Sequence, residues 1–144
     1  TYSAIPIMRE QGFGHIVNAG SITGRVPVPY QAVYAATKSA VISMTESLQY
    51  ELETEGLQFS VYCPANVRTP IFGTLTPPAD SIGVDEAVDY IFGEMEKKSV
   101  LIILPESARQ FDIAYREHKE MFEKLVRDLA AERRENYRTK GTYY

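Results

Sequence analysis

Two residues spaced four apart carry the strongest chemical signal in the sequence: Tyr34 and Lys38, in Tyr34-Ala-Ala-Thr-Lys38. On a helix, positions i and i+4 share a face, so a phenol and an ammonium at this spacing project together. A free phenol titrates at about 10, and bringing it to neutrality takes roughly 4 kcal/mol. One positive charge about 4 Å away, at an effective dielectric of about 20, supplies energy of that order. The pair therefore has the makings of a general acid/base; the plainer reading is a partly exposed tyrosine beside a solvated lysine. Upstream, Ser21 follows the run HIVNAG directly, at the carboxyl end of an expected strand, where open parallel sheets place their ligands. Its hydroxyl could orient a substrate oxygen toward Tyr34, or simply satisfy the backbone of a turn.

Such groups need elements to hold them. Ile16 and Val17 in HIVNAGS suit a buried strand, and residues 22–29 read as a loop with one glycine and two prolines. From about Tyr30 the pattern turns helical, with Val41, Met44, Leu48 and Leu52 at intervals of 3, 4 and 4 and Gly56 as a natural stop. Tyr34 and Lys38 fall on the stripe of Val41, Leu48 and Leu52, so the inward stripe begins with two polar groups, a local rule-breaking that marks a candidate functional site. LQFSVYCP is a second buried strand, ended by Pro64, and SVLIILP a third. A helix is expected from Val84 to about Lys97, favoured by Asp85 and Glu86 in its first turn. Residues 68–83 form no obvious element. A long charged helix from about Ser107 to Tyr137, in one piece or two, follows the last strand. The opening TYSAIPIMRE reads as the last turns of an amphipathic helix broken at Pro6, which implies a segment upstream. Helices alternating with uniformly apolar strands indicate an α/β fold, a Rossmann-like doubly wound parallel sheet. Three strands are few for such a sheet, and an open apolar edge is an aggregation hazard; the sheet is expected to be incomplete as written.

Composition narrows the function classes. With 144 residues, 44% of them apolar and 24% charged, the chain reads as one ordinary globular domain. Its formal charge of −4 gives no general attraction to nucleic acid, and no apolar run approaches the roughly 20 residues of a membrane span. Cys63 is the single cysteine, which fits a reducing, cytoplasmic setting, and with no adjacent base it reads as structural. His15 and His118 lack metal-ligand spacing, so no metal is assigned. Tyr30 has a tyrosine, not a cation, four residues on, so substrate stacking or a lid contact is its alternative role. Phe111, Tyr115, His118, Phe122, Leu125 and Leu129 recur at 4, 3, 4, 3 and 4, a seam suited to another helix of the same domain or of a sister subunit. A homo-dimer or homo-tetramer is the expectation, with seven basic and six acidic side chains between Arg116 and Arg138 forming a solvated face.

Taken together, the strand GHIVNAGSITG, the Tyr34-xxx-Lys38 pair thirteen residues after Ser21, and the strand FSVYCPANVRTP resemble the classical short-chain dehydrogenase/reductases over roughly residues 1–105. The resemblance implies the catalytic half of a nicotinamide-dependent (NAD or NADP) oxidoreductase that interconverts a small-molecule secondary alcohol and a ketone. Tyr34 would be the general acid/base and Ser21 the group that positions the carbonyl or hydroxyl. Lys38 would support the phenol and hold the nicotinamide ribose, while Pro64, Val67 and Thr69 would wrap the nicotinamide. Residues 106–144 would be a helical extension. The family usually has glycine where this chain has Ala65. Its glycine-rich TGxxxGxG turn, which seats the pyrophosphate, lies far upstream of the serine and is not in this sequence. The stretch from Pro70 to Val84 is also short beside the family's substrate loop. By itself the chain is expected to bind a dinucleotide poorly and to be catalytically silent; the alternative is a truncated module that acts by protein binding through its carboxy-terminal seam.

Overall fold

A computed structural model of the chain describes residues 1–143. Helix α1 (Ile5–Gln11) leads into strand β1 (Gly14–Ala19), and a 3₁₀ turn (Ile22–Gly24) follows before the long helix α2 (Ala32–Leu52). Strand β2 (Leu57–Pro64), helix α3 (Val84–Glu96), strand β3 (Leu101–Leu104) and helices α4 (Glu106–Glu117) and α5 (Lys119–Lys140) complete the order. Pro6 does not break α1. It stands in the first turn, where a missing N–H costs nothing and the fixed φ starts the helix. Helix α2 begins two residues later than the apolar pattern implies, because Tyr30 has φ 64° and cannot be helical.

The strands form one parallel sheet in the order β1-β2-β3. Gly14 to Ala19 pair with Leu57 to Tyr62, and Val61 to Pro64 pair with Leu101 to Leu104. Both faces of the sheet are covered, which is why the strands are apolar throughout. On one face Ile5, Leu48, Leu52, Leu57 and Phe59 form a cluster, continued by Ile42, Val61, Cys63, Ile103 and Ala108, so that α1, α2 and α4 lie together. On the other face α3 packs Ala87 against Ile102 and Leu104. The doubly wound α/β arrangement is therefore present. Gly56, with φ 78°, turns the chain into β2 so close to the first turn that an added Cβ would stand 2.6 Å from the Gly12 carbonyl oxygen.

The buried side of α2 differs from the apolar stripe. Ile42, Thr45, Leu48, Gln49 and Leu52 are buried, whereas Val41 and Met44 pack only partly. Two polar side chains point inward because each has a partner. Thr45 donates to the Val41 carbonyl and accepts from Asn18 of β1, and the Gln49 side-chain oxygen accepts from the Phe59 N–H.

Residues 68–83 are not without order. A 3₁₀ turn spans Pro70–Phe72, and Val67 bridges Ile82 in parallel fashion, returning the excursion to its start. Arg68 donates to the Ser81 carbonyl beside that bridge. The carboxy-terminal helix is two pieces. On one straight helix Phe111 and Phe122 would lie roughly 16 Å apart along the axis, but their ring centroids are 4.7 Å apart, and Tyr115 is 4.8 Å from Phe122. The chain bends at His118, where φ is −127° and ψ 54°, and part of the expected seam closes on itself. Among the described residues no helix is long and apolar enough to cross a membrane.

Candidate active site

Parallel strands leave their carboxyl ends on one edge of the sheet, and the candidate residues gather there. Ser21 directly follows Gly20, whose N–H bonds the Tyr62 carbonyl at 2.8 Å and so extends the β1–β2 ladder. Ser21 is buried and caps the 3₁₀ turn, its Oγ accepting the Thr23 N–H at 3.2 Å. The turn reading of this serine is thus present, yet it does not use up the group. A hydroxyl has one hydrogen and two lone pairs, so accepting from Thr23 leaves the O–H free to donate.

Tyr34 and Lys38 stand on the first two turns of α2. Tyr34 is 46% exposed, open to an incoming molecule. The Lys38 ammonium lies 5.7 Å from that ring's centroid, over its face, and donates to the Ala19 carbonyl at 2.9 Å. That second contact ties the lysine to the end of β1 and fixes how far it can wander. A cation over a phenol ring is itself attracted to the ring face.

What holds the Ser21 loop against α2 is Gly24. An added Cβ would stand 2.8 Å from both the Lys38 carbonyl carbon and the Ser39 nitrogen. Its carbonyl accepts from the Ser39 hydroxyl at 2.8 Å, and the Thr23 hydroxyl donates to the Gln31 side chain at 3.3 Å. These contacts bring Ser21, Tyr34 and Lys38 to one end of the sheet. Sequence reasoning passed over Gly24, though a lone glycine in a loop otherwise rich in valine and proline is the signal that could have found it.

Pro64 ends β2, the strand next to β1, and the segment 65–69 follows it. Ala65 donates to the Leu104 carbonyl at 2.8 Å and packs against the Ile42 cluster. Its φ is not positive, so alanine fills this position without backbone strain. Val67 is held by its bridge to Ile82, and Thr69 precedes the 3₁₀ turn with an extended backbone and no capping bond from its hydroxyl. Beneath the site lies Cys63, fully buried, its thiol where a Cβ on Gly20 would meet it at 2.8 Å. Burial pushes that thiol up to about 11, and the Ser21 backbone N–H pulls the other way only in part. A thiol held protonated in this way is structural, as its surroundings in the sequence implied.

A family model for short chain dehydrogenases matches residues 1–80, more than half of the chain. The chain belongs to the short chain dehydrogenase family. A zebrafish (Danio rerio) dehydrogenase/reductase of the family, member 7B, is 39% identical over 69 residues, which are 48% of this chain and 22% of that protein. A short-chain dehydrogenase from Sphingobium yanoikuyae, solved with NADPH, is 29% identical with a TM-score of 0.67 over 83% of this chain and 49% of its own. One from Burkholderia cenocepacia, solved with NADP, shares the fold at a TM-score of 0.77 and 24% identity, over 87% of this chain and 52% of its own. The chain thus spans about half the length of the solved family members and a smaller part of the zebrafish relative.

Proposed function

We propose that this chain carries the proton-transfer end of an NAD(P)-dependent interconversion of a secondary alcohol and a ketone. The observation that supports it best is the meeting of three groups at the carboxyl end of the sheet: a phenol, an ammonium on the next helical turn, and a buried hydroxyl with its hydrogen free. A nicotinamide, when bound, supplies the acceptor or donor of hydride. The chain's residues fit that end of a dinucleotide: Lys38 is already fixed beside β1, and the Thr69 hydroxyl does not cap the turn it precedes. In this reading Lys38 holds the ribose, while Pro64, Val67 and Thr69 line the ring.

In the oxidative direction Ser21 donates to the substrate oxygen and fixes its orientation, and Tyr34 accepts the hydroxyl proton as the C–H electron pair leaves carbon. In the reductive direction Tyr34 returns a proton to the carbonyl oxygen. Lys38 keeps a positive charge beside the phenol, its ammonium 5.7 Å from the ring centroid. The NADPH in the Sphingobium relative supports a phosphorylated or unphosphorylated nicotinamide dinucleotide as the redox partner. A small-molecule alcohol or carbonyl is the substrate class, residues 106–144 an extension of a 1–105 domain, and a cytoplasmic homo-dimer or homo-tetramer the working state.

The test is Tyr34→Phe in the native protein as the cell makes it. Turnover of secondary alcohols with NAD or NADP should fall by about 10²- to 10⁴-fold, the range general acid/base groups contribute. Cofactor affinity should stay within about twofold, since the ring that remains still fills its place. Turnover within a few-fold of the unaltered protein would remove Tyr34 from the chemistry.

A further inference from the structure

The segment just before the first turn of α2 is strained and held from outside. Tyr30 has φ 64°, a left-handed conformation that is unusual for a bulky side chain and that persists where surrounding contacts impose it. Those contacts come from the far end of the chain. The Tyr143 ring stacks on Tyr30 with centroids 4.4 Å apart at 19°, and on Tyr137 of α5 at 4.5 Å and 13°. Tyr143 is therefore the middle ring of three. Beside the stack Arg133 donates to the Pro29 carbonyl at 2.7 Å, and Arg134 reaches the Tyr30 hydroxyl at 3.4 Å.

The strained residue sits at a junction. Gln31, its neighbour, opens α2, where its carbonyl accepts the Ala35 N–H at 2.8 Å. The Gln31 side chain accepts from Thr23, two residues after Ser21. One short segment therefore joins the Ser21 loop to the turn that bears Tyr34, and the carboxy-terminal rings grip that segment. Their contacts fall on Pro29 and Tyr30, five and four residues before Tyr34, which leaves the Tyr34 phenol itself open.

We propose that Tyr143 is a positioning residue for Tyr34: by stacking between Tyr30 and Tyr137 it clasps the segment ahead of α2 and sets where the phenol stands relative to Ser21. The proposal rests on the acid/base reading of Tyr34 for its kinetic consequence, and on geometry alone for its structural one. The carboxy-terminal turn thereby becomes part of the site's framework.

The experiment uses the native protein labelled with 3-fluorotyrosine, in which the Tyr34 resonance is assigned by its loss in Tyr34→Phe. Three variants are compared: Tyr143→Ala, Tyr143→Phe, which keeps the ring, and Tyr30→Gly, which relieves the left-handed backbone but deletes the ring. Tyr143→Ala and Tyr30→Gly should broaden or split the Tyr34 fluorine signal. Both should lower kcat about tenfold, within the roughly 10²-fold that misplacing a reacting group by an ångström can cost, while cofactor affinity is unchanged. Tyr143→Phe should behave as the unaltered protein. An unchanged Tyr34 signal in Tyr143→Ala overturns the clasp, as does a Tyr143→Phe variant as impaired as the alanine one. If Tyr34→Phe keeps its turnover but the fluorine signal still responds to Tyr143→Ala, the clasp stands and the acid/base reading is what fails.

Discussion

A hydroxyl can serve a turn and a substrate at once only if the turn uses a lone pair and not the hydrogen, and Ser21 meets that condition through Thr23. Whether the hydroxyl then faces Tyr34 depends on Gly24, whose backbone touches that of Lys38 and Ser39. Gly24→Ala should push the loop off α2, since the Lys38–Ser39 peptide stands where the methyl would go. The expected cost is about 1–3 kcal/mol, read as a lower unfolding midpoint in denaturant, and on the proposed mechanism a loss of turnover larger than that of cofactor affinity. A variant as stable and active as the original would show that the loop relaxes freely. As candidates Ser21, Tyr34 and Lys38 were legible because residue type and, for the last two, an interval of four are properties of the sequence itself. Gly24 was not, because its importance lies in a distance to a helix that begins eight residues further on.

At the scale of elements, apolar rhythm located every helix and strand of the sheet but misjudged what α2 buries. Thr45 and Gln49 lie inside because Asn18 and the Phe59 N–H meet them there, and hydrogen-bond partners on other strands leave no mark on hydropathy. That the carboxy-terminal helix divides was allowed for, but the place of the bend at His118 was hidden, with no glycine or proline to announce it. Helix α4 is instead tied back to the site region by charge. Asp112, buried, accepts from Arg25 at 3.0 Å and from Arg116 at 3.2 Å, and Arg25 also faces Glu46 at 3.9 Å. Burial works to raise the Asp112 carboxyl, but the bonds from Arg25 and Arg116 outweigh it and hold the group below the usual carboxylate range. A carboxyl depressed in the folded state contributes stability above its unfolded pKa and loses it as pH falls through the folded value. Asp112→Asn should therefore lower the thermal unfolding midpoint at neutral pH, by the equivalent of roughly 1–3 kcal/mol. The gap to the unaltered protein should close in acid, below the normal range of carboxylates. A gap of constant size down to strongly acidic pH would mean that packing, not the ion pair, is what the substitution removes.

For the whole molecule, the alternation of helices with uniformly apolar strands was enough to read a parallel sheet covered on both faces, and the structure has that form. What the sequence could not disclose is how the last helix returns to the loop before α2, since ring stacking between Tyr30 and Tyr143 joins positions 113 residues apart. The sheet also has a property that belongs to no single residue. A parallel strand directs alternate peptide groups to its two sides, and among the described residues β1 has β2 as its one strand neighbour. Gly20 donates toward β2, so Ile16 and Asn18 do likewise, while the peptide groups of His15, Val17 and Ala19 face away; the outward Ala19 carbonyl is the one Lys38 takes. Deuterium uptake along β1 should accordingly alternate, slow at residues 16 and 18 and fast at 15, 17 and 19, where β2 should be slow at both residues 61 and 62, which have strands on both sides. A further strand laid along β1 would erase that alternation, making five amides a gauge of whether the edge is covered.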